Sequence, residues 1–233
     1  MQSLYTDRLD AIKDLYIRVK EAVILLEKSN KGGYTFIGTH NEVRNAFDHV
    51  MKMVAGSDDN NAVEMQYLSA KSHLLRAGYD AYELLCASHI LYIADMLSVY
   101  KASDINSGFP EYYENDVKGK IEQIKRDLTG YRVEHSVASS GKRALTHVLD
   151  DAHDASEAEK AERRYNQYFN SFEQLSDYSR NIERRIPAIS DFRDERIGRE
   201  RKEKRNMIIT IAIATATLIV GLIGAIIAFL PRE

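Results

Sequence analysis

The chain has no tryptophan, one cysteine and three prolines in 233 residues. Each scarcity excludes something. The lone Cys86 cannot close an intramolecular disulfide, so the fold rests on burial and hydrogen bonding, and a reducing compartment fits. Few prolines leave few enforced breaks, and Pro231 stands beyond the last apolar run, which favours long helices. Basic residues number 32 against 35 acidic, for a net charge of −3. The acidic excess falls within residues 1–192, and such a surface lacks the local surplus of Lys and Arg that general nucleic-acid binding requires. There is no Gly-x-Ser-x-Gly nucleophile elbow and no Glu-x-x-His, the pair that di-iron helical bundles need. No metal site and no cofactor is therefore expected.

What the chain does possess is a C-terminal run, residues 207–230, of 24 consecutive uncharged positions. As a helix it reaches about 36 Å, enough to cross a hydrocarbon core of about 30 Å with some tilt. The preceding segment, 193–205, holds seven basic and four acidic side chains, whereas Arg232 is the one basic residue beyond the run. That asymmetry predicts a single-pass tail anchor with residues 1–206 on the cytoplasmic side, as in the inner or plasma membrane of a prokaryote. Within the run Thr210, Ala214, Thr217, Gly221, Gly224 and Ala228 recur at spacings of three and four. Small residues on one face let helices approach closely in lipid, so self-association through the anchor is expected.

Upstream, apolar residues recur at the helical period. Residues 3–29 form a first helix through Ile12, Leu15, Val19, Val23 and Leu26, ended by Asn30-Lys31-Gly32-Gly33. Gly33 and Gly38 have the outer spacing of a phosphate-binding loop, but Thr39-His40 stands where Lys and Ser or Thr are required. Thr39 and Glu42 read instead as a capping box for a helix over 40–55. A helix over 62–102 follows, with its most apolar half after Leu84 placed in the middle of the bundle. A shorter helix spans 111–128, residues 130–141 read as a loop or hinge, and a helix resumes near Lys142. A long helix then begins at Ser156, with Glu159 completing a capping box. Pro187 is expected to kink or break it, and Ser190 to cap a last helix that runs on into the membrane segment. The expected class is all-α: an elongated cytoplasmic bundle over 1–155, a helical stalk and basic segment over 156–206, and a membrane helix over 207–230.

Two polar constellations carry candidate chemistry. The helix over 40–55 places Glu42, Asn45 and His49 on one face, and the next places His73, Arg76, Asp80 and Glu83 likewise. Where these faces meet, a network of acids, imidazoles and a guanidinium results, which must be internally paired and serves as packing specificity or as a ligand site. The second constellation is Arg44-Asn45-Ala46-Phe47-Asp48-His49. An arginine, a polar residue after it and a histidine after four intervening positions resembles the motif of the HEPN superfamily of small helical-bundle ribonucleases. The resemblance implies a dimer in which Arg44, Asn45 and His49 act at the scissile phosphate of RNA without a metal.

Three functions compete. The first is a tail-anchored protein whose cytoplasmic domain senses a small-molecule or protein trigger and controls a homo-oligomeric assembly in the bilayer. Its architecture resembles that of prokaryotic stress and phage-defence effectors. A membrane-tethered ribonuclease and a passive membrane scaffold are the alternatives, and only the ribonuclease has RNA as a partner.

Overall fold

Helical periodicity dominates the computed structural model. Backbone is described for residues 2–29, 36–55, 59–114, 116–142 and 151–229, and side chains for 5–29, 36–55, 59–112, 116–131 and 158–219. The helices are α1 (Gln2–Ser29), α2 (Ile37–Val54), α3 (Asn60–Ser98), α4 (Ala102–Gly108), α5 (Glu111–Glu114), α6 (Val117–Lys142) and α7 (Asp151–Phe229). No strand occurs among the described residues, so the all-α class holds. The expected helix end at 30–33, the helix resumption near Lys142 over 143–150 and the residues past the apolar run lie outside the described residues.

α3 is the central element, with α1, α2 and α7 packed along it. Arg8 of α1 pairs with Glu64 near the start of α3, and Val19 approaches Gly78, so α1 runs parallel to α3. α2 runs antiparallel to it, since Glu42 meets His73 while His49 meets Gln66, whereas α7 runs parallel, since Glu162 meets Lys71 while Glu183 meets Tyr92. The α1 stripe of Ile12, Leu15, Val19, Val23 and Leu26 is buried as its period predicts.

Burial along α3 differs from expectation. Its most enclosed stretch is 67–86, where Leu74, Leu75, Leu85 and Cys86 are at most 3% exposed, whereas Leu91 in the later half is 70% exposed. The reason is coverage. α1 and α2 flank only the first part of α3, and α7 continues alone along the rest, so apolar character there exceeds the surface available to cover it. Gly78 sits at the tightest crossing: a Cβ there would fall 2.5 Å from the Tyr165 ring and 3.1 Å from Val19. Only glycine lets α1, α3 and α7 meet at that level.

α7 continues through Pro187 without a break, so Ser190 caps no separate helix. Proline removes one intrahelical hydrogen bond, but Ile182 and Ile189 on either side are fully buried, and packing of both flanks holds the helix together. The helix also begins at Asp151, so Ser156 lies inside it rather than at a cap. Thr39 is likewise no cap: α2 begins two residues earlier, and Thr39 is buried in its first turn. The predicted helix over 111–128 is two helices, broken where Asp116 adopts a φ of 52°. A Cβ at Gly119 would strike the Asp116 carboxylate, which sits over the first turn of α6. α6 then carries straight through Gly130 to Lys142, where a loop was expected.

The expected stalk is, over much of its length, a wall of the bundle. Ala158, Ala161, Tyr165, Tyr168, Leu175, Ile182 and Ile189 are all buried. Beyond them the chain bends by 99° between α3 and α4, which carries α4 across α7. Gly108 touches the α7 backbone there, with a notional Cβ only 2.5 Å from the Ile189 Cα. Arg196 of α7 donates to both oxygens of the buried Asp104, at 2.7 and 2.9 Å, and to Glu200 at 2.8 Å. Lys101 adds a bond to Glu200 at 3.3 Å. The bundle is thus clamped to α7 at Arg196, a level about 16 Å of helix rise before Met207.

Candidate functional site

Helical spacing brings two polar faces together between α2 and α3. Glu42 and His49 are seven residues apart on α2, two turns, while Gln66, His73 and Asp80 repeat at seven on α3. His73 Nδ1 donates to Glu42 Oε2 at 2.6 Å, and His49 Nδ1 donates to Gln66 Oε1 at 2.8 Å. The two imidazoles stack with centroids 5.3 Å apart and planes 19° from parallel. Arg76 reaches within 4.0 Å of the same Glu42 oxygen and donates to Ser72 Oγ at 2.9 Å. Burial pushes the Asp80 carboxyl up to about 7, with Glu83 and Glu42 adding repulsion and Arg76 opposing it.

The network extends to α7. Burial, then Asp80, pushes the Tyr79 phenol up to about 12, against the Arg164 guanidinium that hydrogen-bonds it. One titratable cluster therefore touches α2, α3 and α7, and its acid Asp80 changes charge near neutral pH. A carboxylate–imidazole pair beside a second imidazole can hold or pass a proton, and Arg76 offers a cation to an anionic guest. Among the described residues no three His, Cys, Asp or Glu side chains converge as a cation's ligands would.

Of the predicted site residues, Glu42, His49, His73, Arg76 and Asp80 come together. Asn45 lies on the same side of α2, half-buried, and Glu83 acts on Asp80 through its charge. Arg44 does not join them. Five residues turn a helix by about 140°, and Arg44 stands exposed beside a groove between α1 and α2 while His49 faces α3. Within one chain the Arg44-x4-His49 motif is split between two faces. Gln66 was missed although its spacing of seven from His73 could have revealed it. Arg164 carries no sequence signal, being far from Tyr79 along the chain.

Cys86 is a core residue. It is fully buried with Sγ 3.7 Å from the Tyr168 carbonyl, and burial pushes its thiol up to about 12. His89 likewise serves packing, held by Ser179 at 3.0 Å and lowered by burial below its ordinary value.

Of the predicted membrane face, Thr210, Ala214 and Thr217 are described; Gly221, Gly224 and Ala228 have side-chain positions outside the described residues. Thr210, Thr215 and Thr217 each donate to the carbonyl four residues earlier, at 2.9 Å. Among the described residues no single helix is long and apolar enough to cross a membrane. The described side chains end at position 219, partway through the uncharged run.

No family model, curated protein or solved structure matches this chain.

Proposed function

We propose that the chain is a membrane-anchored sensor in which α7 joins a cytoplasmic helical binding module to an oligomeric assembly of anchor helices. The observation that carries this reading is the surface of α7 past the Arg196 clamp. Met207, Ile208, Ile209, Ile211, Ile213, Leu218 and Ile219 are all between 50% and 66% exposed and cover about two-thirds of the helix circumference, the rest being the side of Thr210, Ala214 and Thr217. Apolar surface of that extent is stable only against lipid or partner helices. The threonines in it satisfy their hydroxyls within the helix, as a low-dielectric surrounding demands. The basic flank supports an orientation with residues 1–206 on the cytoplasmic side.

The same helix passes from the aromatic core to the apolar run without interruption. A change at the Asp80 and Arg164 cluster therefore acts on a rod that ends in the anchor. In this reading a small-molecule or protein trigger acts at the polar cluster and the anchor is the output, as in effectors that permeabilise a membrane.

Two measurements test it. The full chain is expected to stay with membranes after alkaline carbonate extraction, and to depolarise cells when expressed. Exchanging Gly221 and Gly224 for Leu is expected to remove depolarisation while membrane retention and the helical circular dichroism persist. Release of the unaltered chain by carbonate would overturn the anchor, and depolarisation that survives the double change would overturn the role of the small-residue face.

A further inference from the structure

The last turns of α7 before the apolar run carry their acids and their free bases on different sides. Glu200 is held by Arg196 at 2.8 Å and by Lys101 at 3.3 Å, so its side of the helix faces α4 and the clamp. A helix turns about 100° per residue, which sets Glu203 about 60° from Glu200. Both acids of residues 199–206 therefore stand on or near the clamp side. Arg201, Arg205 and Lys202 lie about 100°, 140° and 200° round the helix from Glu200, on the far side. All three are exposed, and among the described residues none takes part in an ion pair.

Their height points to a partner. Residues 201–205 stand about 9 to 3 Å of helix rise before Met207, where the uncharged run begins. When that run spans a hydrocarbon core of about 30 Å, the headgroup layer adds roughly 5–8 Å on each face. Long basic side chains at this level end among headgroups, where phosphate is the available acceptor, and a guanidinium takes it through two parallel hydrogen bonds. A phosphate whose charge is already met by its own choline leaves the three cations unbalanced, so the lipid that fits carries a net negative charge.

The apolar run continues the same side. Counted round the helix from Glu200, Ile208, Ile219 and Ile209 stand at about 80°, 100° and 180°, in line with the three cations, whereas Thr210, Ala214 and Thr217 stand between about 260° and 320°. Self-association through the small residues thus leaves the basic side open to lipid.

We propose that Arg201, Lys202 and Arg205 form a binding surface for anionic phospholipids of the cytoplasmic leaflet, on the side of α7 turned away from the Arg196 clamp. The headgroup phosphate lies against the three cations, and the acyl chains run along Ile208, Ile209 and Ile219. Clamp and lipid occupy opposite sides of the helix and do not compete. This rests on the reading of the chain as membrane-anchored and names the lipid that its flank selects.

The test reconstitutes the full chain in phosphatidylcholine vesicles and reads the share of spin-labelled phosphatidylglycerol, against spin-labelled phosphatidylcholine, that is immobilised beside the protein. A preference for the anionic label of about fivefold or more is expected, falling as salt is added. Arg201→Gln, Lys202→Gln and Arg205→Gln together are expected to bring the ratio close to one, and Arg201→Lys with Arg205→Lys, which keeps every charge, to retain the preference. Helical circular dichroism is expected to be unchanged in both variants, because all three positions are exposed. Equal immobilisation of the two labels by the unaltered chain overturns the proposal, and so does a preference that survives the triple change or high salt. A chain that carbonate fails to extract but that shows no preference overturns the lipid surface alone. One that carbonate releases, while it still sediments with phosphatidylglycerol vesicles, overturns the anchor alone.

Discussion

α3 is joined to α7 and to α2 by different chemistry. Towards α7 the seam is aromatic: Tyr82 meets Tyr165, Phe169 and Phe172 at centroid distances between 5.3 and 5.6 Å, and Leu175 is fully buried. Towards α2 the seam is half-buried and polar, built from Glu42, His49, Gln66, His73 and Arg76. Area-driven burial has no direction and no charge, so the first seam is indifferent to pH and sets the frame. The second depends on which group holds a proton. It can change without unmaking the first.

Leu175→Ala strikes the aromatic seam and should cost the most, roughly 2–5 kcal/mol, because the cavity left in a packed wall cannot collapse fully. Urea unfolding would show it as a lower midpoint of similar size at pH 4.5 and pH 7.5. A loss confined to one pH would erase the distinction between the seams.

Asp80 tests the other side. Its carboxyl is raised from 3.8 to about 7. Below about pH 4 the group is neutral in folded and unfolded chains alike, so it does not oppose folding. As pH rises towards 7 the unfolded chain sheds the proton while the folded one retains it, and stability falls by roughly 2–4 kcal/mol across that window. Asp80→Asn should flatten this fall, leaving the variant more stable than the parent at pH 8 and little changed at pH 4. Equal pH profiles for the two would show that Asp80 titrates normally.

The smallest effect sharpens the comparison. Gln66→Ala removes the partner of the His49 ring, but the site is half open and water can replace the amide, so about 1 kcal/mol or less is expected. A loss as large as that of Leu175→Ala would mean that the polar seam is structural throughout.

Much of this was legible in residue order. The α1 stripe, the length of α3 and the meeting of Glu42 and His49 with His73 and Arg76 follow from positions three, four and seven apart, since local period dictates which residues share a face. Other features were not. Thr39 before Glu42 has a capping pattern, yet Thr39 is buried in the first turn of α2. Pro187 has a breaker's chemistry, yet Ile182 and Ile189 hold the helix through it. The Arg44 and His49 motif is contiguous in sequence and divided in space, because five residues is not a whole number of turns.

Residue order alone determined the all-helical class, the faces of α1 and α2, and the uncharged run with its basic flank, all of which are matters of spacing and composition. Tertiary structure decided that α7 is a bundle wall, that α3 is covered by three helices in one half and mainly by α7 in the other, and that Arg196 closes on Asp104 from 92 positions away. The reason is physical: a helix's period is set by its own backbone, but which helix covers a given face is settled by all the surfaces competing for burial at once.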